Sequence, residues 1–80
     1  MAKKAAPRWK NLEHLTRGQG DITIGRIGPV SSAATAADGD QMLAALMRRR
    51  GESLEDLLTR LDGALERRWQ DDEYIDEING

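Results

Sequence analysis

A stripe of leucines in the second half of the chain constrains the fold more than any other feature. Apolar residues recur there at spacings of three and four, at Leu54, Leu57, Leu58, Leu61, Ala64, Leu65 and Trp69. This period places one apolar face along a helix. Ser53 precedes the stripe, and Asp56 three residues later matches a capping box with Asp for Glu. The sequence therefore predicts an amphipathic helix over residues 54–70, which Gly63 weakens by about 1 kcal/mol relative to alanine.

Residues 40–50 show a second helical pattern. Its apolar members are Met42, Leu43, Leu46 and Met47, which share one face of a helix. The segment 38–40, Asp-Gly-Asp, offers N-cap residues, and Gly51 suits the left-handed position that ends many helices. Because the link between the two predicted helices is so short, we expect an antiparallel helical hairpin. Its predicted core is formed by Met42, Leu43, Leu46, Met47, Leu54, Leu57, Leu58, Leu61 and Leu65. The predicted fold class is therefore mainly α.

Residues 21–36 carry a strand-like signal that leaves two interpretations open. Polar and apolar residues alternate over 21–24, and Gly28-Pro29 is a turn dipeptide. One interpretation is a short β-hairpin with strands near 21–27 and 30–36, and the other is an ordered loop. Gly25 and the Ala/Ser-rich run are poor strand formers. We favour the hairpin, which would precede the helices and give a small α+β domain.

The chain has 80 residues and no cysteine, so it holds one domain at most and no disulfide. We expect a basic, largely flexible arm over residues 1–20, a single small domain over 21–70 and an acidic tail over 71–80. One helical turn is expected within the arm, at residues 11–15, because a longer isolated helix would not offset its nucleation cost. No run of about 20 apolar residues is present, which predicts no membrane partner and a cytoplasmic protein of bacterial type.

Charge is distributed unevenly along the sequence. Residues 1–50 hold nine lysines and arginines against four acids, whereas residues 51–80 hold three arginines against ten acids. Such asymmetry indicates an interaction surface. The candidate partner-binding residues are the basic cluster Arg48, Arg49 and Arg50 and the acidic tail Asp71, Asp72, Glu73, Tyr74, Ile75, Asp76, Glu77 and Ile78. For the arginines, the alternative is helix capping. For the acidic tail, the alternatives are a solvated chain end and a tail that folds back on its own core.

No pattern in the sequence indicates catalysis, a metal site or a cofactor. His14 is the single histidine and has no nucleophile near it in the sequence. The acids at 71–77 and 38–40 lack the alternate spacing and the glycine of a calcium loop. The glycines at 18–28 do not form a phosphate-binding motif. We therefore expect a protein that is not an enzyme and takes no cofactor.

Two resemblances bear on function. The segment 47–61 resembles the first two helices of a helix-turn-helix repressor, but a third helix is missing. The helix predicted over 54–70 also presents acids that would repel phosphate, at Glu55, Asp56, Asp62 and Glu66. Residues 26–79 resemble a group of short uncharacterised proteobacterial proteins associated with plasmids, prophages and integrative conjugative elements. The segments that carry this second resemblance are Arg26-Ile27-Gly28, an Ala-rich stretch, residues 38–46, residues 50–62 and a terminal Asp-Glu-Ile-Asn. It implies a mobile-element setting and no particular activity.

These observations favour a non-enzymatic protein-binding module, a regulator or inhibitor carried by a bacterial mobile element. Its partner would be another protein, a second copy of itself, or both. A small helix-turn-helix-like DNA-binding regulator is the alternative, in which the basic arm and Arg48–Arg50 would contact nucleic acid. A self-associating structural protein is the third hypothesis.

Overall fold

The computed structural model describes residues 8–79, which form two helices and a four-stranded mixed sheet. In chain order the elements are α1 (Lys10–Arg17), β1 (Gly20–Ile27), β2 (Val30–Asp38), β3 (Gln41–Met47), α2 (Leu54–Asp71) and β4 (Ile75–Asp76). Strands β1, β2 and β3 form an antiparallel meander, and β4 pairs with β3 in parallel. The predicted mainly α fold is therefore wrong, because the protein is a small α+β domain without a helical hairpin.

The β-hairpin predicted near residues 21–36 is confirmed. β1 and β2 pair from Gly20 opposite Asp38 to Ile27 opposite Val30, with one irregularity next to Gly25. Gly28 and Pro29 form the two-residue turn between them. Gly28 has a φ of +59°, the left-handed value that a type II′ turn requires at its first position.

The helix predicted over residues 40–50 is wrong, because Gln41–Met47 forms strand β3. The segment 38–40 closes a second hairpin instead of capping a helix, and Gly39 takes a φ of +63° at this turn. Asp38 pairs with Gln41, so the two-residue loop is Gly39-Asp40, and Gly-Asp between two strands is typical of such a hairpin loop. Since 41–47 is a strand, the first helix of the helix-turn-helix resemblance does not exist in this fold.

The helix predicted over residues 54–70 is confirmed as α2. Ser53 caps its start, where its hydroxyl accepts a hydrogen bond from the Asp56 backbone N–H at 3.0 Å. Leu57, Leu61 and Leu65 are fully buried on its inner side. Leu54, at the first position of the helix, is exposed, so its predicted place in the core is wrong.

Helix α1 has two turns, one more than the sequence predicted for this region, because α2 stabilises its start. One carboxylate oxygen of Asp62 accepts hydrogen bonds from the backbone N–H groups of Asn11 at 2.8 Å and Leu12 at 2.9 Å. These donors have no partner within α1 itself. Of the flexible arm predicted over 1–20, residues 1–7 lie outside the described part of the chain.

The hydrophobic core lies between one face of the sheet and the two helices. We call this side the first face of the sheet; it carries Ala34, Ala36, Ala44 and Leu46. The helices contribute the other core side chains, Leu12, Leu15, Leu57, Leu61, Ala64 and Leu65, and Leu43 joins them from the irregular part of β3. Met42 and Met47, predicted as core residues, are exposed instead.

Candidate functional site

The opposite side of the sheet, which we call the second face, carries Ala33, Thr35, Ala45 and Met47. Successive side chains of a strand point to opposite faces, and the paired positions Thr35–Ala45 and Ala33–Met47 alternate with the core positions. Met42 pairs with Ala37 and belongs to the same face. Both helices pack on the first face, so within residues 8–79 no helix covers the second.

The second face has small buried residues at its centre and exposed methionines beside them, and we call this apolar strip the groove. Ala33, Thr35 and Ala45 are buried although no helix lies over them, whereas Met42 and Met47 are each 42% exposed. Methionine at an exposed apolar surface adapts its shape to different partners. A patch of this kind, rimmed by polar residues, is typical of a binding surface.

Tyr74 and Asp76 border this groove at the β4 edge. Asp76 lies opposite Ala45, and the Tyr74 hydroxyl donates a hydrogen bond to its carboxylate at 3.2 Å. Hydrogen bonds from the backbone N–H groups of Asn79 and Ile78 lower the pKa of Asp76 below its usual range. Burial and the nearby Asp76 raise the pKa of Tyr74. At neutral pH this edge therefore holds a carboxylate and a neutral phenol.

A network around Arg60 ties the end of β3, the β3–α2 connection, α2 and the segment after β4 together. The Arg60 guanidinium donates to both Glu52 carboxylate oxygens, at 2.7 and 3.0 Å, and to Glu77 at 3.0 Å. It also donates to the Met47 backbone carbonyl at 2.8 Å. The Arg60 hydrogen bonds lower the pKa of Glu52 from 4.5 to about 2, and they raise the pKa of Arg60. These charges are internally compensated, so the network is structural.

The predicted basic cluster lies in the connection between β3 and α2. Arg48 donates to the Glu52 backbone carbonyl at 3.0 Å, and the Arg49 backbone N–H donates to the Glu52 carboxylate at 2.9 Å. The Arg49 guanidinium lies 3.8 Å from the Glu77 carboxylate. Arg50 is exposed and forms no ion pair among the described residues. Helix capping, the alternative role considered for these arginines, does not arise because 41–47 is a strand.

The structure places the predicted acidic tail partly inside the fold. Asp71 ends α2, and Asp72 follows as its left-handed cap and pairs with Arg68. Glu73 and Tyr74 are exposed, whereas Ile75 packs against the core. Glu77 donates from its backbone N–H to the Ala45 carbonyl at 2.7 Å. Ile78 is half-buried, and its N–H donates to Asp76. The two predicted clusters meet only through Arg49 and Glu77.

The residues that organise this region, Glu52 and Arg60, were missed in the sequence. They lie eight positions apart in the sequence, and no motif has that spacing, so only the turn after β3 makes them neighbours. The second face did leave a signal: β2 and β3 show apolar runs in place of polar–apolar alternation.

Comparison with protein-family models, curated proteins and solved structures finds no match to this chain. Among residues 8–79, neither helix combines the length and apolarity required to cross a bilayer. In the same range no three side chains of the metal-ligating types are grouped closely enough to hold an ion. The candidate site thus rests on the geometry of the second face.

Proposed function

We propose that the protein is a non-enzymatic protein-binding module that holds an amphipathic helix of its partner on the second face of the sheet. The observation that carries the proposal is the apolar character of β2 and β3 on both faces. An antiparallel sheet with one solvated face alternates apolar and polar residues, whereas strands covered on both faces read as continuous apolar runs. Residues 33–37 and 42–47 follow the second pattern.

The first face supports a helix as the occupant. There, Ala34, Ala36 and Ala44 form a small-residue floor, and α2 inserts its leucines above it. The same strands present Ala33, Thr35 and Ala45 as the floor of the second face. Small side chains allow a helix to approach closely, and Met42 and Met47 would flank it. The second face thus repeats the geometry with which this chain already binds one of its own helices.

Charge at the rim supports a basic partner. Asp21 lies opposite Ala37 at the β1 edge of the second face, and Asp76 lies at the β4 edge. Two carboxylates that border an apolar groove favour a helix with leucine-like residues on one side and lysines or arginines beside them. A module of this type regulates or inhibits its target by binding one of the target's helices. A bacterial cytoplasm and a mobile element, as the sequence resemblance implies, are the setting that we propose.

The test uses a synthetic amphipathic helical peptide of leucines and lysines, titrated into the isotope-labelled protein. We expect saturable binding with amide shifts on β2 and β3, and Met47→Lys should weaken it by about tenfold or more. The matched control is Leu54→Lys, which places the same charge on an exposed leucine away from the groove. An equal loss with both variants, or shifts spread over the whole surface, would contradict the proposal.

Sedimentation of the free protein tests the rival occupant, a second copy of the chain. We expect a monomer at micromolar concentration. A dimer that Met47→Lys converts to monomer, with Leu54→Lys still dimeric, would assign the second face to self-association and overturn the partner-helix proposal.

A further inference from the structure

A cleft of about 290 Å³ opens at the β3–β4 edge of the sheet, on the first face and beside α2. Apolar, basic and acidic side chains share its walls: Leu46, Ile75, Arg49, Arg60, Arg67 and Glu77. Leu46 belongs to the core and Ile75 packs against it, so these two residues form an apolar part of the cleft. Arg49 and Arg67, which also line it, are exposed.

The positive charge in the cleft exceeds what the chain itself neutralises. Arg60 is bonded to Glu52 and Glu77 and is not available. Arg49 has only the 3.8 Å approach to the same Glu77, and Arg67 forms no ion pair among residues 8–79. Two guanidinium groups therefore retain free donors, and guanidinium binds carboxylate and phosphate oxygens in bidentate fashion.

Gly63 lines the cleft from the α2 side. It lies in the interior of α2, where glycine weakens a helix relative to alanine. A Cβ at this position would meet no atom within 4 Å, so the fold of this chain does not require the glycine. Here it keeps one wall of the cleft open.

We infer that this cleft binds a small organic anion, whose carboxylate or phosphate head is held by Arg49 and Arg67. A short apolar tail of the ligand would lie against Leu46 and Ile75, in the space beside Gly63. A cleft of this volume accommodates a ligand that is smaller than a typical drug molecule. The site is separate from the second face, so the inference does not depend on the proposed partner helix.

The experiment titrates butyrate and butyl phosphate into the full-length protein and follows the Gly63 amide and the arginine Nε–H signals by NMR. We expect saturable shifts at these groups, and the tighter of the two ligands identifies the head group. Arg67→Gln should weaken binding about tenfold, because it removes a charged hydrogen-bond donor. Arg50→Gln, which removes an exposed arginine outside the cleft, should leave binding unchanged.

Gly63→Met provides a second variant that preserves every charge. Its side chain fills the cleft from an exposed helical position, so folding should be retained while binding of both ligands is lost. Unchanged binding in Gly63→Met, or equal weakening by Arg50→Gln and Arg67→Gln, would overturn the inference. So would shifts that do not saturate for either ligand.

Discussion

Asp62 has a structural role that its sequence context conceals. In sequence it looks like one acid among several on the outer side of a helix, yet it accepts both N–H groups at the start of α1. It also accepts a hydrogen bond from the Asn11 side chain at 3.0 Å. A carboxylate at a helix N-terminus satisfies donors and complements the helix dipole. Here the cap comes from a different helix, which fixes α1 on α2.

We expect Asp62→Ala to lower the free energy of unfolding by about 1–3 kcal/mol, because the amides that it satisfies lose their partner. Urea denaturation followed by circular dichroism measures this change. Asp71→Ala, which removes an exposed acid from the end of the same helix, serves as the control and should cost less. Equal losses in the two variants would show that helix charge, and not the contact with α1, sets the effect.

Glu52 should make stability depend on pH in the acid range. Its pKa is about 2 in the folded protein, against 4.5 for the free side chain. The largest cause is the hydrogen bonding of the Arg60 guanidinium to its carboxylate. A carboxyl with a lowered pKa contributes its full stability above the unfolded value. That contribution is lost as the pH falls from about 4.5 through 2.

Glu52→Gln should therefore flatten the fall in urea midpoint between pH 5 and pH 2, measured at fixed ionic strength. Some pH dependence of the midpoint should remain because the pKa of Asp76 is also lowered. The largest cause of that shift is the hydrogen bond from the Asn79 backbone N–H. Glu73→Gln, a change at an exposed acid, should keep the full wild-type slope. A wild-type slope in Glu52→Gln would mean that the Arg60 contact does not persist in solution.

At the scale of elements, the short strand β4 closes the edge of β3. Ile75 pairs with Ala44 and packs on the core, and Glu77 completes the Arg60 network. Removing these residues exposes core surface and leaves a partly buried guanidinium with one carboxylate fewer. The segment that the sequence marked as a docking tail thus also belongs to the fold.

We expect deletion of residues 73–80 to lower the unfolding free energy by about 2–4 kcal/mol, through lost apolar burial and a broken ion pair. Differential scanning calorimetry of the shortened chain checks this. Tyr74→Ala, which truncates an exposed side chain of the same segment, is the control and should change stability little. Full stability after the deletion would show that β4 contributes nothing and would favour a tail that is free to dock.

The elements differ in how far sequence reasoning could identify them. Helix α2 was predictable because only a helix buries Leu57, Leu61 and Leu65 together. Strand β3 was mistaken for a helix because it is apolar on both faces, so Met42 to Met47 lack the alternation by which a strand is recognised. Gly39 marked the hairpin turn, but Asp38 and Asp40 beside it also fit a helix cap. The Arg60 network was not predictable, since its partners meet only through the tertiary fold.

On the scale of the whole molecule, the two oppositely charged halves of the sequence bind each other. Arg8 pairs with Glu55, and Lys10 approaches Glu66 at 3.7 Å. Arg49 lies near Glu77 in the same way. In each pair the base comes from residues 1–50 and the acid from 51–80. The charge asymmetry that suggested an external partner is thus partly satisfied within the chain.

This internal pairing predicts a stability that falls with salt. The three pairs are largely exposed, so each contributes about 0–1 kcal/mol and is screened as ionic strength rises. Raising NaCl from low to moderate concentration should lower the urea midpoint by a small, measurable amount. The double variant Glu55→Gln/Glu66→Gln should start from a lower midpoint and respond less to salt. Asp71→Gln/Glu73→Gln, which neutralises two acids outside these pairs, should keep the wild-type response. A urea midpoint that is constant or rises with salt in the wild-type chain would contradict this prediction. It would mean that the leucine core alone holds the two halves together. The charge asymmetry would then again indicate an external partner.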